Sequence, residues 1–347
     1  MIEKLNSVSK KLKTSALLIT NPVNIFYLTG VEADATYAVF DKKGLRIITN
    51  FIYFEDIKSK IKIKADVLMY GADNFYSFFD KKATYGFESS FMTFDTFRKF
   101  EAEGFKLKPC GQFMEVLRAV KTEEEINLIK KAVAITDKTY KKLLDYLKPG
   151  LSEIEVANFI FDTQRSFGAS GNSFETIAAR GDNSSLPHAK CDAKRKIKPD
   201  SMLKLDFGAV YKHYCSDMTR TVFFGKASKK YKDIYNIVLT AQLKAIEKIK
   251  PGIKAADIDK EARDYIASKG FGDKFGHGLG HGLGLEVHEN PRVSSKSTDI
   301  LEEGNVITVE PGIYLPGWGG IRIEDDVVVR KHGAEILTKS SKKLYEL

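Results

Sequence analysis

The chain is 347 residues long, with 43% hydrophobic and 29% charged residues, the composition of a globular protein long enough for two domains. Its net charge of +9 comes from dispersed lysines whose densest clusters lack interleaved aromatic residues, so no nucleic-acid partner is predicted. No apolar run approaches the roughly 20 residues that cross a bilayer, and no signal-peptide core follows the basic N-terminus, so no membrane partner is predicted.

Residues 1–120 are predicted to form a small α/β domain. An amphipathic helix over residues 1–13 leads into a series of short strands separated by polar, helix-prone stretches. The predicted strands lie at 16–20, 38–40, 46–49 and 66–70, and the predicted helices at 50–60 and 94–103. The Asn21-Pro22 pair is predicted to be a turn after the first strand. This alternation indicates a sheet covered by helices.

A second domain is predicted over residues 121–347. Thr122 followed by Glu125 is a capping-box pattern, and helical spacing of apolar residues continues from there to Tyr146. Ser152 and Glu155 repeat the pattern at the start of the next predicted helix. Later strands are predicted at 176–179, 202–207 and 220–224, helices at 230–249 and 255–269, and strands at 305–309 and 320–329. Two helices followed by strands thus occur twice, which suggests an internal duplication around a shared sheet.

The three cysteines, Cys110, Cys191 and Cys215, are isolated in the sequence and form no CxxC pair. They indicate neither a disulfide framework nor a thiolate zinc site, and a reduced cytoplasmic protein is the simplest interpretation. Cys191 and Cys215 lie close in sequence to candidate site residues. Both an oxidation-sensitive thiol and a buried bystander are open interpretations there.

Three of the six histidines, His277, His281 and His288, fall within twelve residues of a glycine-rich stretch. Because glycine lets the backbone approach other groups closely, we expect this stretch to pass near a ligand. Asp206 ends an apolar strand, and Asp217 lies eleven residues later beyond a turn-like segment. That spacing suits a hairpin that brings the two carboxylates together.

Two glutamates extend this candidate ligand set. Glu310 follows the predicted strand at 305–309, and Glu324 interrupts the apolar stretch at 321–328. A carboxylate within such a strand is rarely buried without a strong partner, and a metal ion is one. Four carboxylates and one imidazole can hold two divalent ions about 3.5–4 Å apart, as in a metal-dependent hydrolase. Mn, Co, Fe and Zn all suit the set, and its oxygen majority without thiolates favours Mn or Co over a structural zinc.

Taken together, six motifs resemble those of the pita-bread metallopeptidases. They are Asp206, Ser216–Thr221, Gly280–Gly284, Val287–Pro291, Val309–Gly312 and Gly320–Asp326. Within that superfamily the chain is similar to the Xaa-Pro branch, which comprises aminopeptidase P and prolidase. The segment Asn21–Gly30 also resembles the opening of their creatinase-like N-terminal domain. The resemblance implies an α+β protein with a creatinase-like α/β domain at 1–120 and a pita-bread catalytic domain at 121–347.

The resemblance also implies two divalent metal ions per subunit. Asp206 is expected to bind one ion, and Asp217 and Glu324 are expected to bridge both. His281 and Glu310 are expected to complete the second site. A hydroxide that bridges the ions then attacks the carbonyl carbon of the bond that precedes proline.

Further roles implied by the resemblance fall on residues around the ions. Glu310 is expected to act also as a general base, His188 to assist the leaving nitrogen, and His288 to contact the scissile carbonyl. His277 and Arg322 are expected to line the prolyl and carboxylate end of the substrate pocket. Two alternatives stay open, namely that His277 is a packing residue and that Arg322 is a partner of Asp217 or Glu324.

The predicted protein is therefore a cytoplasmic exopeptidase that cleaves between an N-terminal residue and a following proline in short peptides. The resemblance implies a homodimer but does not separate a dipeptidase from an aminopeptidase. One alternative is a metallo-aminopeptidase with a different N-terminal specificity, which the creatinase-like domain disfavours. The other is a non-catalytic binding protein on the same fold, which the +9 charge raises and the complete ligand set disfavours.

Overall fold

The computed structural model describes residues 1–347, which separate into two compact units, Met1–Leu117 and Arg118–Leu347. Each unit has hydrophobic core clusters of its own. None of the helices combines the length and the apolar character that a membrane crossing needs.

The first unit is built on one six-stranded mixed sheet. Its helices are α1 (Ile2–Leu12), α2 (Pro22–Thr29), α3 (Phe51–Lys60), α4 (Phe94–Ala102) and α5 (Phe113–Ala119), and its strands are β1 (Ala16–Ile19), β2 (Tyr37–Asp41), β3 (Gly44–Thr49), β4 (Asp66–Met69), β5 (Thr84–Phe87) and β6 (Lys106–Pro109). The strand order is β4-β3-β2-β1-β5-β6. Leu17 and Ile19 point into one core cluster and Ala16 and Leu18 into another, so both faces of the sheet are covered, as predicted.

The Asn21-Pro22 pair begins a helix, so the predicted turn is wrong. Asn21 is the N-cap of α2, and its side-chain oxygen accepts a hydrogen bond from the Val23 amide at 3.0 Å. Pro22 occupies the first helical position, where its missing N–H has no intrahelical partner to lose. Strands β5 and β6 were not predicted; a glycine interrupts the first, and lysines and a proline make up most of the second.

The second unit contains four helices and thirteen strands. They are α6 (Glu123–Tyr146), α7 (Glu153–Ser166), β7 (Gly171–Asn172), β8 (Ile177–Arg180), β9 (Met202–Asp206), β10 (Ala209–Tyr211), β11 (Tyr214–Cys215), β12 (Thr219–Phe223), α8 (Lys229–Lys248), α9 (Ala255–Ser268), β13 (Gly280–Gly282), β14 (Glu289–Val293), β15 (Val306–Val309), β16 (Gly312–Leu315), β17 (Gly319–Arg322), β18 (Asp325–Arg330) and β19 (Gly333–Ile336). Both predicted capping boxes are present, at Thr122 and at Ser152. The order of two helices followed by strands occurs twice, as predicted.

The segment between the candidate ligands Asp206 and Asp217 is more complex than one hairpin. β9 and β12 do pair antiparallel, with Asp206 opposite Thr219. The intervening residues form a separate hairpin, β10–β11, that joins β7 in another sheet. Asp217 therefore lies in the connection that returns from this hairpin to β12.

The predicted single strand at 320–329 is wrong, because the chain changes partners in the middle of it. β17 pairs with β16, whereas β18 pairs with β15. At the change, the Glu324 amide donates to the Thr219 carbonyl at 3.1 Å. Glu324 is thus outside both ladders, although it lies between two buried strands.

Candidate metal centre and active site

Side chains from both halves of the second unit converge on one cavity. Asp217, His281 and Glu324 each offer a ligand atom, and these atoms all lie within 4.8 Å of one another. His281 Nε2 is 3.7 Å from Asp217 Oδ2 and 3.5 Å from Glu310 Oε1. Asp206, at the end of β9, and Glu310, after β15, line the same cavity. The structure thus brings all five predicted ligands together.

The His281 ring directs an unprotonated nitrogen toward the carboxylates. Its Nδ1 lies 3.0 Å from the Gly282 carbonyl, which can only accept, so Nδ1 carries the hydrogen. Burial and the neighbouring His288 ring lower the pKa of His281 to about 3. The ring is therefore neutral near pH 7, and the Nε2 lone pair is free to bind a cation.

The carboxylates in this cluster have no protein cation or proton donor sufficient to balance them. Burial, followed by repulsion from Glu324, raises the pKa of Asp217 well above its usual range, and Asp217 Oδ1 has no hydrogen-bond partner. Burial and repulsion from Glu310 do the same to the pKa of Glu324. Burial also raises the pKa of Glu310 to about 7 despite the opposing charge of Arg322. Carboxylate oxygens and one imidazole nitrogen that converge in this way are suitable ligands for divalent metal ions.

Hydroxyl and carboxylate groups that were not predicted orient these ligands. Thr219 Oγ1 donates to Glu324 Oε2 at 2.6 Å. Asp326 Oδ2 accepts from the Asp217 amide at 2.9 Å. Thr219 and Asp326 both lie within the motifs quoted above. The sequence around a strand threonine such as Thr219 does not show whether it hydrogen-bonds a ligand or only packs in the sheet.

Arg322 is the main positive charge beside the cluster, and it is committed to protein groups. It pairs with Asp206 and donates from Nη1 to Tyr314 Oη at 2.8 Å. Its Nε donates to Thr219 Oγ1 at 2.9 Å and lies 3.8 Å from Glu310. The alternative that Arg322 partners Asp217 or Glu324 thus named the wrong carboxylates. Arg322 also lines the cavity, and its contact with substrate stays a prediction.

His277 lines the cavity as predicted but is hydrogen-bonded through both ring nitrogens. Nδ1 lies 2.7 Å from the Gly278 carbonyl, and Nε2 lies 2.8 Å from Tyr314 Oη. Burial and the charge of Arg322 lower the pKa of His277 to about 4, so the ring is neutral near pH 7. A chain of hydrogen bonds therefore runs from Arg322 through Tyr314 to His277. Nothing in the sequence around Tyr314 predicted this part.

His188 and His288 line the same cavity and are exposed in it. The His288 ring lies against His281, with centroids 4.3 Å apart. Burial, with smaller effects from His188 and Arg292, lowers the pKa of His288. Next to it, the buried Glu289 side chain pairs with Arg118 and Lys121, which anchors the start of β14.

Comparison with known proteins follows the same division of the chain. Residues 127–331 match the sequence model of metallopeptidase family M24, and residues 1–120 match that of the creatinase/prolidase N-terminal domain. The chain belongs to metallopeptidase family M24. The uncharacterized peptidase YqhT of Bacillus subtilis is 42% identical to this M24 protein, over 99% of each chain. The predictions of family, fold class and a metallopeptidase are confirmed.

Solved structures resemble this M24 metallopeptidase over nearly its whole length. An Xaa-Pro dipeptidase from Bacillus anthracis superposes with a TM-score of 0.96 at 39% identity, covering 100% of this chain and 99% of that one. An X-Pro aminopeptidase from Thermotoga maritima superposes with a TM-score of 0.88 at 33% identity, covering 98% and 100%. The likeness therefore includes both kinds of specificity that the sequence left open.

The glycines around His281 allow close packing between strands, and two of them, Gly278 and Gly280, also line the cavity. A Cβ at Gly280 would lie 2.0 Å from the Thr308 carbonyl oxygen, and one at Gly282 would lie 2.1 Å from the Asn290 carbonyl oxygen. β13 lies between β14 and β15 in its sheet, so backbone crowds it on both sides. The glycines hold His281 in place by allowing this packing.

The two cysteines near the site are deeply placed thiols. Cys191 Sγ accepts from the Ala178 amide and donates to the Thr176 carbonyl, both at 3.2 Å. Burial raises the pKa of Cys191 to about 11 and that of Cys215 to about 12. Neither lines the cavity, and thiols with raised pKa values react slowly.

We predict that Glu289→Ala destabilises this M24 metallopeptidase by about 3–5 kcal/mol, because it leaves the buried Lys121 ammonium without its carboxylate. Glu286→Ala is the matched control, since Glu286 also pairs with Arg118 but its side chain is 43% exposed. We expect that control to cost about 1 kcal/mol or less. Urea unfolding measures both variants, and equal losses would contradict the assignment.

We predict that the metal-free Glu310→Gln variant is more stable than the metal-free wild type above pH 7. A carboxyl whose pKa is raised to about 7 by folding contributes stability at low pH that is lost as the pH rises through 7. The difference should approach about 3 kcal/mol at high pH and vanish below about pH 4.5. Unfolding free energies from pH 4 to 8 measure it, with Glu247→Gln, exposed on α8, as the control. A gap that does not change with pH would refute the assignment.

Proposed function

We propose that this protein is an Xaa-Pro peptidase that uses two divalent metal ions to hydrolyse the bond between an N-terminal residue and a following proline. The observation that carries the proposal is the convergence of Asp217, His281 and Glu324 ligand atoms within 4.8 Å on one cavity. The likeness to an Xaa-Pro dipeptidase and an X-Pro aminopeptidase over nearly the whole chain supports the choice of substrate.

We assign five residues as ligands of the two ions. They are Asp206, Asp217, His281, Glu310 and Glu324. When bound, divalent ions supply Lewis acidity toward the scissile carbonyl and activate water for attack. The oxygen-rich set favours Mn or Co.

The protein side chains then divide the remaining work. Glu310, which lines the cavity beside His281, is placed to accept a proton from the attacking water. The exposed ring of His288 donates to the carbonyl oxygen where negative charge develops. His188, across the same cavity, donates to the leaving nitrogen of proline. His277 and Arg322 shape the wall at the prolyl end through their bonds to Tyr314.

The charges on the cavity wall favour a dipeptide as substrate. The cavity has a volume of about 460 Å³, and Lys190, Arg292 and Glu175 lie on its wall. All three side chains are exposed, whereas Arg322 is committed to Asp206. Lys190 and Arg292 can therefore bind the C-terminal carboxylate of a dipeptide, and Glu175 can bind its α-ammonium.

A homodimer in the cytoplasm, with an N-terminal domain at 1–120 and a catalytic domain at 121–347, completes the proposal. Light scattering on the purified protein measures the assembly. Limited proteolysis followed by mass determination locates the boundary between the domains.

We predict that His281→Ala lowers the rate of Mn- or Co-dependent release of the N-terminal residue from an Xaa-Pro peptide by more than about 100-fold. The reason is that His281 supplies the imidazole whose ligand atom lies within 4.8 Å of those of Asp217 and Glu324. His332→Ala, at an exposed position, is the matched control and should retain activity. Full activity in His281→Ala would exclude this metal assignment.

We predict that the metal-loaded enzyme cleaves Ala-Pro with a higher kcat/KM than Ala-Pro-Ala, because the tripeptide carries its carboxylate beyond Arg292 and Lys190. Arg292→Met should raise the KM for Ala-Pro by about 10-fold and change kcat little, as expected when a substrate-binding contact is lost. Faster cleavage of Ala-Pro-Ala would indicate an aminopeptidase. Inactivity on both peptides with metal bound would place the substrate in another class.

A further inference from the structure

The loop that carries His188, residues 181–192 between β8 and β9, is anchored at its two ends by a buried anion. Glu153, in the first turn of α7, is 0% exposed. Its carboxylate accepts from the Arg180 amide at 2.8 Å and from the Asp192 amide at 3.0 Å. It also accepts from Asn183 Nδ2 at 3.0 and 3.1 Å. One carboxylate thus gathers donors from the beginning, the first turn and the end of the His188 loop.

A buried lysine amine holds the middle of the same loop. Lys204, on β9, is 0% exposed, and its Nζ donates to the Leu186 carbonyl at 2.7 Å and the Pro187 carbonyl at 3.2 Å. These are the two peptide carbonyls immediately before His188. The same Nζ lies 5.3 Å from the centroid of the Tyr314 ring.

Packing against the hydrophobic core does not explain why residue 204 is a lysine, because Lys204 lies on the other face of its strand. Leu203 and Leu205 point into a hydrophobic core cluster, so Lys204 faces the opposite side, as Asp206 does. An amine buried away from water is costly unless hydrogen bonds satisfy it. Lys204 forms no ion pair with a carboxylate, and its hydrogen bonds go to the His188 loop alone.

We infer that Lys204 and Glu153 are positioning residues that together fix His188 at the leaving-group side of the cavity, an inference that rests on the role proposed for His188. The Glu153 carboxylate holds amide donors at the ends of the loop, and the Lys204 amine holds carbonyls at its centre. Arg322 Nη1 adds a third hydrogen bond to the centre of the loop, since it donates to the Pro187 carbonyl at 3.3 Å. The loop is thereby tied to the same arginine that pairs with Asp206.

A double-mutant cycle tests this coupling. Lys204→Met keeps the length of the side chain and removes the hydrogen-bond donor, so kcat on Ala-Pro should fall by about 10-fold or more, with KM changed by less than about threefold. In a His188→Ala background, the same substitution should change kcat by less than about twofold, because the group that it positions is already absent. Mn binding, titrated directly, should be unchanged in Lys204→Met.

Two further variants separate positioning from a general loss of structure. Leu203→Met places the same new residue next in the strand but on the core face, and kcat should stay within about twofold of wild type. Glu153→Gln keeps the shape but turns one acceptor into a donor that faces other donors. The effects of Glu153→Gln and His188→Ala on kcat should likewise be non-additive. Glu153→Gln replaces Lys204→Met in the test if Lys204→Met does not fold.

Several results would overturn the inference. One is an unchanged kcat in Lys204→Met, and another is a double variant whose kcat falls by the full product of the two single reductions. Full activity of His188→Ala alone would also overturn it, as would loss of Mn binding in Lys204→Met. Failure of the proposed function is distinct from all of these. It appears in the wild type itself, as inactivity on Ala-Pro with metal bound.

Discussion

Mutual repulsion among buried carboxylates is the constraint around which the catalytic unit is organised. Asp217 and Glu324 are 5% and 2% exposed; the charge of Glu324 raises the cost of ionising Asp217, and the charges of Glu310 and Asp206 raise that of ionising Glu324. Such a cluster cannot stabilise the fold by itself. The surrounding sheets therefore hold it, with strands such as β15 and β18 contributing fully buried valines and isoleucines behind the site.

The buried basic side chains near the site share one feature, since each is held by protein groups next to the proposed catalytic residues. Arg322 pairs with Asp206 and hydrogen-bonds Tyr314, Lys204 hydrogen-bonds the loop that carries His188, and Lys121 pairs with Glu289 next to His288. Side chains that are committed in this way are placed to orient the proposed catalytic groups. Our proposal assigns binding of the substrate carboxylate to Lys190 and Arg292 on the exposed wall of the cavity.

The sequence was sufficient where the determining signal is local or where chemistry marks the residue. The helix after Thr122 begins where its capping box predicts, because cap and partner are three residues apart. Asp206, Glu310 and Glu324 were found because carboxylates are rare in or at the ends of apolar strands. Asp217 was found from its spacing to Asp206, and His281 from the glycine-rich stretch that holds three histidines. The strand at 320–329 was mistaken since pairing partners from distant segments decide where it breaks. Lys204 was visible as a lysine in an apolar strand, but its acceptors lie 17 and 18 residues earlier, in a loop without a pattern.

The bonds that support the site join segments far apart in the chain. Thr219 binds Glu324, and Arg220 binds Asp325, each across 105 residues and from opposite halves of the repeated architecture. Asp206 and Asp217 belong to the first half, and the other three candidate ligands belong to the second. Neither half has a complete site alone, so an ion bound between them acts as a cross-link that favours cooperative unfolding of the two halves. Separately produced halves would have to associate before either could retain an ion at this site.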